Sequence, residues 1–202
     1  MKRLFVTGIG TEVGKTVVSA ILTEKLKADY WKPIQSGDLD YSDTQKVKNL
    51  TGNSTSIFHP ERYTFSQPLS PHAAAEIDGV TIRLEEFIVP ETKNHLIIEG
   101  AGGLLVPLNK EHLIADLISH LRASVVLVSR NYLGSINHTL LTVQELRRRN
   151  IPVLGLVFNG ESTPKTEAII EHYSQLPVLF KVEEEKVVNK ATVLKYAKEI
   201  EI

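Results

Sequence analysis

Thr7-Gly8-Ile9-Gly10-Thr11-Glu12-Val13-Gly14-Lys15-Thr16 follows the apolar run Leu4-Phe5-Val6 and precedes a segment whose apolar residues fall at Val17, Val18, Ile21, Leu22 and Leu26. A buried strand, a glycine-rich loop and an amphipathic helix in that order make a phosphate cradle. Glycines let the backbone curl until its N–H groups face an anion, and the helix presents its positive end to the same anion. Lys15 is placed to reach β- and γ-phosphates, and the Thr16 hydroxyl to ligate Mg²⁺. The spacing is one residue off the strict pattern, which wants glycine at position 9, where this chain has Ile9 between Gly8 and Gly10. The bland alternative is a glycine-rich turn with a solvated lysine. Gly14-Lys15-Thr16 at the point where strand becomes helix argues against it.

Beyond this loop, 202 residues with 42% hydrophobic and 23% charged content predict one α/β domain spanning residues 1–202. The formal net charge is −1 and the basic residues are scattered, which argues against a nucleic-acid or membrane-surface partner. There is no cysteine, so thiolate metal sites and disulfides are excluded. Lys2 and Arg3 are followed by only three apolar residues before the loop, too few for a signal-peptide core, and no run approaches a membrane span. The expectation is a soluble, cytoplasmic protein, in which Asn53-Ser54-Thr55 is turn chemistry and not a glycosylation site.

Further along the chain, Tyr30 to Ile34 predicts a second strand with Lys32 at its C-terminal end. In open parallel sheets ligands bind just beyond those ends, which places Lys32 on the same edge as the loop. Asp43 opens a helix to Leu50 and suits an N-cap or a metal ligand equally well. Phe58 to Pro71 holds three prolines and shows no clear period, so it is expected to be a long irregular connection. Ser70-Pro71 marks the start of an alanine-rich helix, and Arg83 to Val89 another short one. His95-Leu96-Ile97-Ile98-Glu99 predicts a buried third strand that delivers a carboxylate to the Mg²⁺ opposite Thr16, and Gly100-Ala101-Gly102-Gly103 a glycine turn that backbone or substrate can approach closely.

The remaining strands are expected at 124–129, 153–158 and 177–180, with helices at 113–121, 136–149 and 164–175 and a last helix from Ala191. Arg147-Arg148-Arg149 closes one of these helices and complements its dipole. Strand and helix alternation predicts a P-loop NTPase-like, mostly parallel sheet with helices on both faces, a three-layer α/β/α architecture. The loop, Lys32, Glu99 and Asn159 then converge on one edge. No guanine-reading Asn-Lys-x-Asp box follows Asn159, so ATP is the favoured nucleotide.

The opening loop, Trp31-Lys32-Pro33-Ile34-Gln35-Ser36-Gly37, Tyr63-Thr64-Phe65 with Pro68-Leu69-Ser70-Pro71-His72, Glu99-Gly100-Ala101-Gly102-Gly103 and Leu133-Gly134-Ser135-Ile136-Asn137-His138 together resemble the dethiobiotin synthetase family, over residues 3 to 160. The form Gly-x-Gly-Thr-Glu-Val-Gly-Lys-Thr accounts for the one-residue offset. The resemblance implies MgATP-dependent carboxylation of 7,8-diaminopelargonate with CO₂ or bicarbonate and closure of a ureido ring, with Lys32 and Lys15 catalytic and Thr16, Asp43 and Glu99 on Mg²⁺. It implies that ATP meets Glu12, Val13, Gly14, Lys15, Thr16 and Val17, then Asp43, Glu99, Gly100, Ala101 and Gly102, with Asn159 and Gly160 at the base. The diamine would meet Thr11, Ser36, Gly102 and Asn137, and Asn137 would act at the interface of a homodimer. His72 and His138 lack partners at metal-ligand spacing and read as structural.

After Asn159 the sequence departs from that pattern: Phe180 to Glu185 stands where a proline-containing loop would pack on adenine, so a looser choice of base is expected. The competing interpretation is a nucleotide-switched, partner-binding ATPase of the partition or septum-site type, which shares the fold. Those proteins carry a second lysine early in the loop, and Gly8 to Val13 has none.

Overall fold

In the computed structural model, which describes residues 1–202, the chain alternates strand and helix. Its first half runs β1 (Arg3–Gly8), α1 (Lys15–Leu26), β2 (Asp29–Trp31), β3 (Ile34–Ser36), α2 (Asp43–Leu50), β4 (Phe58–His59), β5 (Tyr63–Phe65) and α3 (Pro71–Ile77). Its second half runs β6 (Leu96–Gly103), α4 (Ile114–His120), β7 (Ser124–Arg130), α5 (Ser135–Arg148), β8 (Val153–Asn159), α6 (Pro164–Ser174), β9 (Val178–Val182) and α7 (Lys190–Glu199). Seven strands form one sheet in the order β4-β2-β6-β1-β7-β8-β9. Every pairing in it is parallel.

Burial on both faces explains why the central strands are continuous apolar runs and not alternating ones. Within β1 the side chains still divide by the strand period: Phe5 joins the core under α3 to α6, while Leu4 and Val6 join the core under α1, α2 and α7. No helix is long and apolar enough to cross a membrane.

Several expectations are corrected. The second strand stops at Trp31, because Pro33 cannot donate to a ladder; Ile34 belongs to β3, which pairs with β5 in a separate two-stranded sheet. The Phe58–Pro71 connection is therefore not irregular throughout: it holds β4 at the edge of the main sheet and β5 beside β3. The glycines after Glu99 do not form a turn, since β6 runs on to Gly103, which pairs with Gly8 across a register shift. The segment after Arg83 makes only a 3₁₀ turn at Leu84–Glu86.

Asp43 is not an N-cap. Ser42 takes that position in a capping box with Gln45, which leaves the Asp43 carboxylate free to face the sheet edge. Ser70 takes the N-cap position of α3, but its hydroxyl pairs with the His72 ring at 3.1 Å and accepts from no helix N–H. The basic run closing α5 is engaged internally: Arg148 and Arg149 bind Glu145, Arg149 also binds Asp116, and Arg147 donates to the Ser174 carbonyl.

Candidate active site

The C-terminal edge of the parallel sheet opens into a cleft of about 670 Å³. One wall is the loop between β1 and α1. Gly8 is required there because a Cβ would stand 2.4 Å from Val13 Cγ2. Gly14 is required twice over, by a φ of 98° and because a Cβ would stand 2.2 Å from Asn159 Nδ2. Asn159, at the end of β8, donates to the Val13 carbonyl at 3.0 Å and so ties the loop to the far side of the sheet. No side chain caps α1, so its first-turn N–H groups remain available to an anion.

Four separate segments bring charge to the floor. Lys32 Nζ lies between Asp43, at the start of α2, and Glu99 Oε1, which is 3.1 Å away. Thr16 Oγ1 donates to the same Oε1 at 2.9 Å, and the Tyr30 hydroxyl donates to Glu99 Oε2 at 2.9 Å. Lys46 holds the other Asp43 oxygen at 3.2 Å. Lys15 Nζ folds back onto the Gly10 carbonyl at 2.8 Å, the position from which a phosphate would recruit it.

These contacts set the protonation states. Burial pushes the Lys15 ammonium down to about 8, against the opposing pull of Glu99. Burial also penalises the Lys32 charge, but Glu99 and then Asp43 outweigh it and hold Lys32 above its ordinary value. Burial opposes ionisation of Asp43 as well; Lys32 and then Lys46 overcome it and hold the carboxyl below its ordinary range. Burial first and the Glu99 charge second keep the Tyr30 phenol well above its ordinary value, so it remains a donor.

The donor set suits Mg²⁺. Thr16, Asp43 and Glu99 offer only hard oxygens, and the Lys32 ammonium already marks the space between the two carboxylates as one that accepts a cation. No group of three or more acidic, histidine or cysteine ligands surrounds one point. Such a sparse set fits a metal whose remaining positions are filled by phosphate oxygens and water.

Of the residues anticipated from sequence, Thr11, Glu12, Gly14, Lys15, Thr16, Val17, Lys32, Ser36, Asp43, Glu99, Ala101, Gly102 and Asn159 line the cleft. Val13, Gly100 and Gly160 do not. Val13 is buried beneath the loop, a Cβ on Gly100 would stand 2.7 Å from the Phe5 ring, and Gly160 bonds to the Val182 carbonyl. Asn137 is exposed on α5 and lies outside the cleft of its own chain.

Five contributors were not anticipated. Tyr30 sits two residues before Lys32, a strand spacing that could have revealed it, and Lys46 sits one helical turn after Asp43. Gln35 accepts from the Asp43 backbone N–H at 3.2 Å. Arg130 and Glu184 pair across the cleft rim beside Val182 and Val188, a contact between distant segments that no local pattern announces.

Strand, loop and helix of this form, with a lysine and a threonine turned into a cleft of carboxylates, define a P-loop nucleotide-binding protein. A family model described as an AAA domain matches residues 2–192. The chain is 54% identical to the ATP-dependent dethiobiotin synthetase BioD of Christiangramia forsetii, over 97% of this chain and 94% of that one. It is 52% identical to the protein of the same name from Cytophaga hutchinsonii, over 98% and 96% respectively. The chain belongs to the dethiobiotin synthetase family, and the similarity continues through the region after Asn159 where the motifs thin out. Among solved structures it resembles a ParA family ATPase from Chlorobium tepidum (TM-score 0.61, 13% identity, 98% of this chain and 99% of that one). It also resembles the septum site-determining protein MinD of Pyrococcus horikoshii in complex with Mg-ADP (TM-score 0.60, 13% identity, 98% and 95%). At that identity these two show the fold alone.

Proposed function

We propose that this protein is an ATP-dependent carbon–nitrogen ligase of biotin biosynthesis that converts 7,8-diaminopelargonate and CO₂ to dethiobiotin. The observation that carries this is the meeting of Lys15 and Lys32 in one cleft with Thr16, Asp43 and Glu99. A nucleotide site alone needs the first lysine. The second, just past the end of β2 and lining the same cleft as Ser36, provides for another anion.

In the reaction, one amino group of the diamine captures CO₂ as a carbamate. The carbamate oxygen takes the γ-phosphoryl group from ATP, releasing ADP. The second amino group attacks the mixed anhydride, the ring closes and phosphate leaves. Lys15 binds the β- and γ-phosphates, and Lys32 neutralises the carbamate and the group in flight. Alignment and charge stabilisation supply the rate, since phosphoryl transfer asks little covalent help of the protein. Thr16, Asp43 and Glu99 would hold Mg²⁺, which when bound would supply charge neutralisation for the phosphates. Thr11, Ser36 and the Gly102 backbone orient the diamine, and Asn159 faces the base.

We further infer a homodimer. Leu133 is fully exposed just ahead of α5, and Tyr132, Ile136 and Leu141 are exposed in the same segment, which also carries Asn137, outside its own cleft. A second copy covering that face would bury the apolar patch and give Asn137 a site to act on. The 202 residues are taken as one folding unit, working in the cytoplasm where ATP is supplied.

Isotopically labelled bicarbonate tests the reaction. The label is expected in a cyclic urea formed only when diamine, ATP and Mg²⁺ are all present. An unlabelled or absent product would contradict the assignment.

A further inference from the structure

Glu99 carries two chemically equivalent oxygens on a terminal torsion that is soft in isolation. Here they are not equivalent. Oε1 receives Thr16 and Lys32 at the cleft floor, and Oε2 receives the Tyr30 hydroxyl alone. Tyr30 is itself immobile: it is fully buried, its strand is paired on both sides, opposite Ile97 and Phe58, and its ring lies 6.1 Å from that of Phe58.

We propose that Tyr30 is a positioning residue for the metal-binding carboxylate, its hydroxyl clamping Glu99 Oε2 so that Oε1 faces Thr16, Lys32 and the nucleotide metal. The proposal rests on the reading of the site given above. Tyr30 does not line the cleft, so it acts through Glu99 and not on substrate. Without its hydroxyl, Oε2 would be a buried acceptor with no donor, and the carboxylate could satisfy it only by rotating Oε1 away from the cleft. Hydrogen bonds that orient a ligating carboxylate govern metal affinity in just this manner.

Tyr63 supplies a matched control. It too is a buried tyrosine, and its hydroxyl accepts from the Arg83 N–H at 3.1 Å and donates to Glu86 at 2.7 Å, but neither partner lines the cleft. Tyr30→Phe and Tyr63→Phe therefore remove the same atom from two buried networks, only one of which leads to the metal ligand.

The test is Mn²⁺ titration of the protein–ADP complex, read from the resonance of free Mn²⁺, alongside the Mg²⁺ concentration giving half-maximal turnover. Tyr30→Phe is expected to weaken Mn²⁺ binding about tenfold and to raise the Mg²⁺ requirement similarly, while ADP binding without metal stays at the wild-type value. Tyr63→Phe is expected to change neither. Wild-type Mn²⁺ affinity in Tyr30→Phe, or equal weakening in both variants, would overturn the proposal. Should Tyr30→Phe fail to fold, Phe58→Leu, which loosens the ring but keeps the hydroxyl, takes its place. It is expected to weaken Mn²⁺ binding by about threefold, a fraction of the effect of losing the hydroxyl that orients the carboxylate, and wild-type affinity there would equally overturn the proposal. A wild-type protein that binds Mn²⁺ through a Tyr30-dependent site yet forms no cyclic urea would contradict the proposed reaction and support the positioning role.

Discussion

Burying an ammonium costs several kcal/mol unless partners compensate, and Lys32 is buried at the end of β2 with two carboxylates around it. The arrangement keeps a charged lysine buried where the proposed reaction brings negative charge. Lys32→Met is expected to lower turnover by about 10²-fold or more, the scale of losing one dedicated donor to developing charge. It should leave a folded protein, because Thr16 and Tyr30 still donate to Glu99, Lys46 still holds one Asp43 oxygen, and the other is partly open to water. Steady-state rates together with a thermal melt check this. Lys15 gives a pH signature. Its ammonium titrates at about 8 in the free protein, and a triphosphate favours the charged form. Affinity for a non-hydrolysable ATP analogue should be greatest below pH 8 and fall as pH rises through it, and Lys15→Met should lack that break. Calorimetric titration on either side of pH 8 decides. At this scale the sequence reveals Lys15, Thr16 and Glu99, because the loop and the strand end are local patterns. Tyr30 is hidden, because its role depends on β2 lying beside β6.

The elements deliver these residues with little slack. Strand β6 carries Glu99 and then four further strand residues through Gly103, where composition alone suggests a turn. Gly100 is held against the ring of Phe5 in the neighbouring β1. Gly100→Ala should overpack that contact, at a cost of about 1–3 kcal/mol in urea unfolding, and should raise the Mg²⁺ requirement by displacing Glu99. Retention of wild-type stability would show that β1 and β6 can separate freely. Helix α2 tells a related story. Ser42-Asp43-Thr44-Gln45 contains a capping box in plain view, yet Asp43 is as good a cap by composition. Only the placement of Lys32 beneath it reveals that the acid serves the cleft. The strands β4 and β5 are two and three residues long, too short for any period to register.

For the whole molecule, alternating strands and helices give the three-layer class, but strand order is a matter of long-range pairing. The placement of β6 between β1 and β2 is what brings Glu99 between Thr16 and Lys32. The cleft also extends to the segment after β9, where Glu183 to Glu185 and Val188 form the rim near Asn159 without the expected proline-containing loop. Turnover with GTP and CTP should therefore approach that with ATP; a strict ATP requirement would show that this rim reads adenine. The exposed face around Leu133 belongs to this scale as well. Leu133→Asp should yield monomers in sedimentation and lose most turnover at dilutions where the wild type is active, whereas a fully active monomer would show that no second copy completes the site.

In the proposed reaction the γ-phosphoryl acceptor is a carbamate and not water. Phosphate release by the purified protein with ATP, Mg²⁺ and bicarbonate measures it most directly, with and without 7,8-diaminopelargonate. Release that depends on the diamine is predicted; steady hydrolysis without the diamine, stimulated instead by a protein or lipid partner, would contradict it.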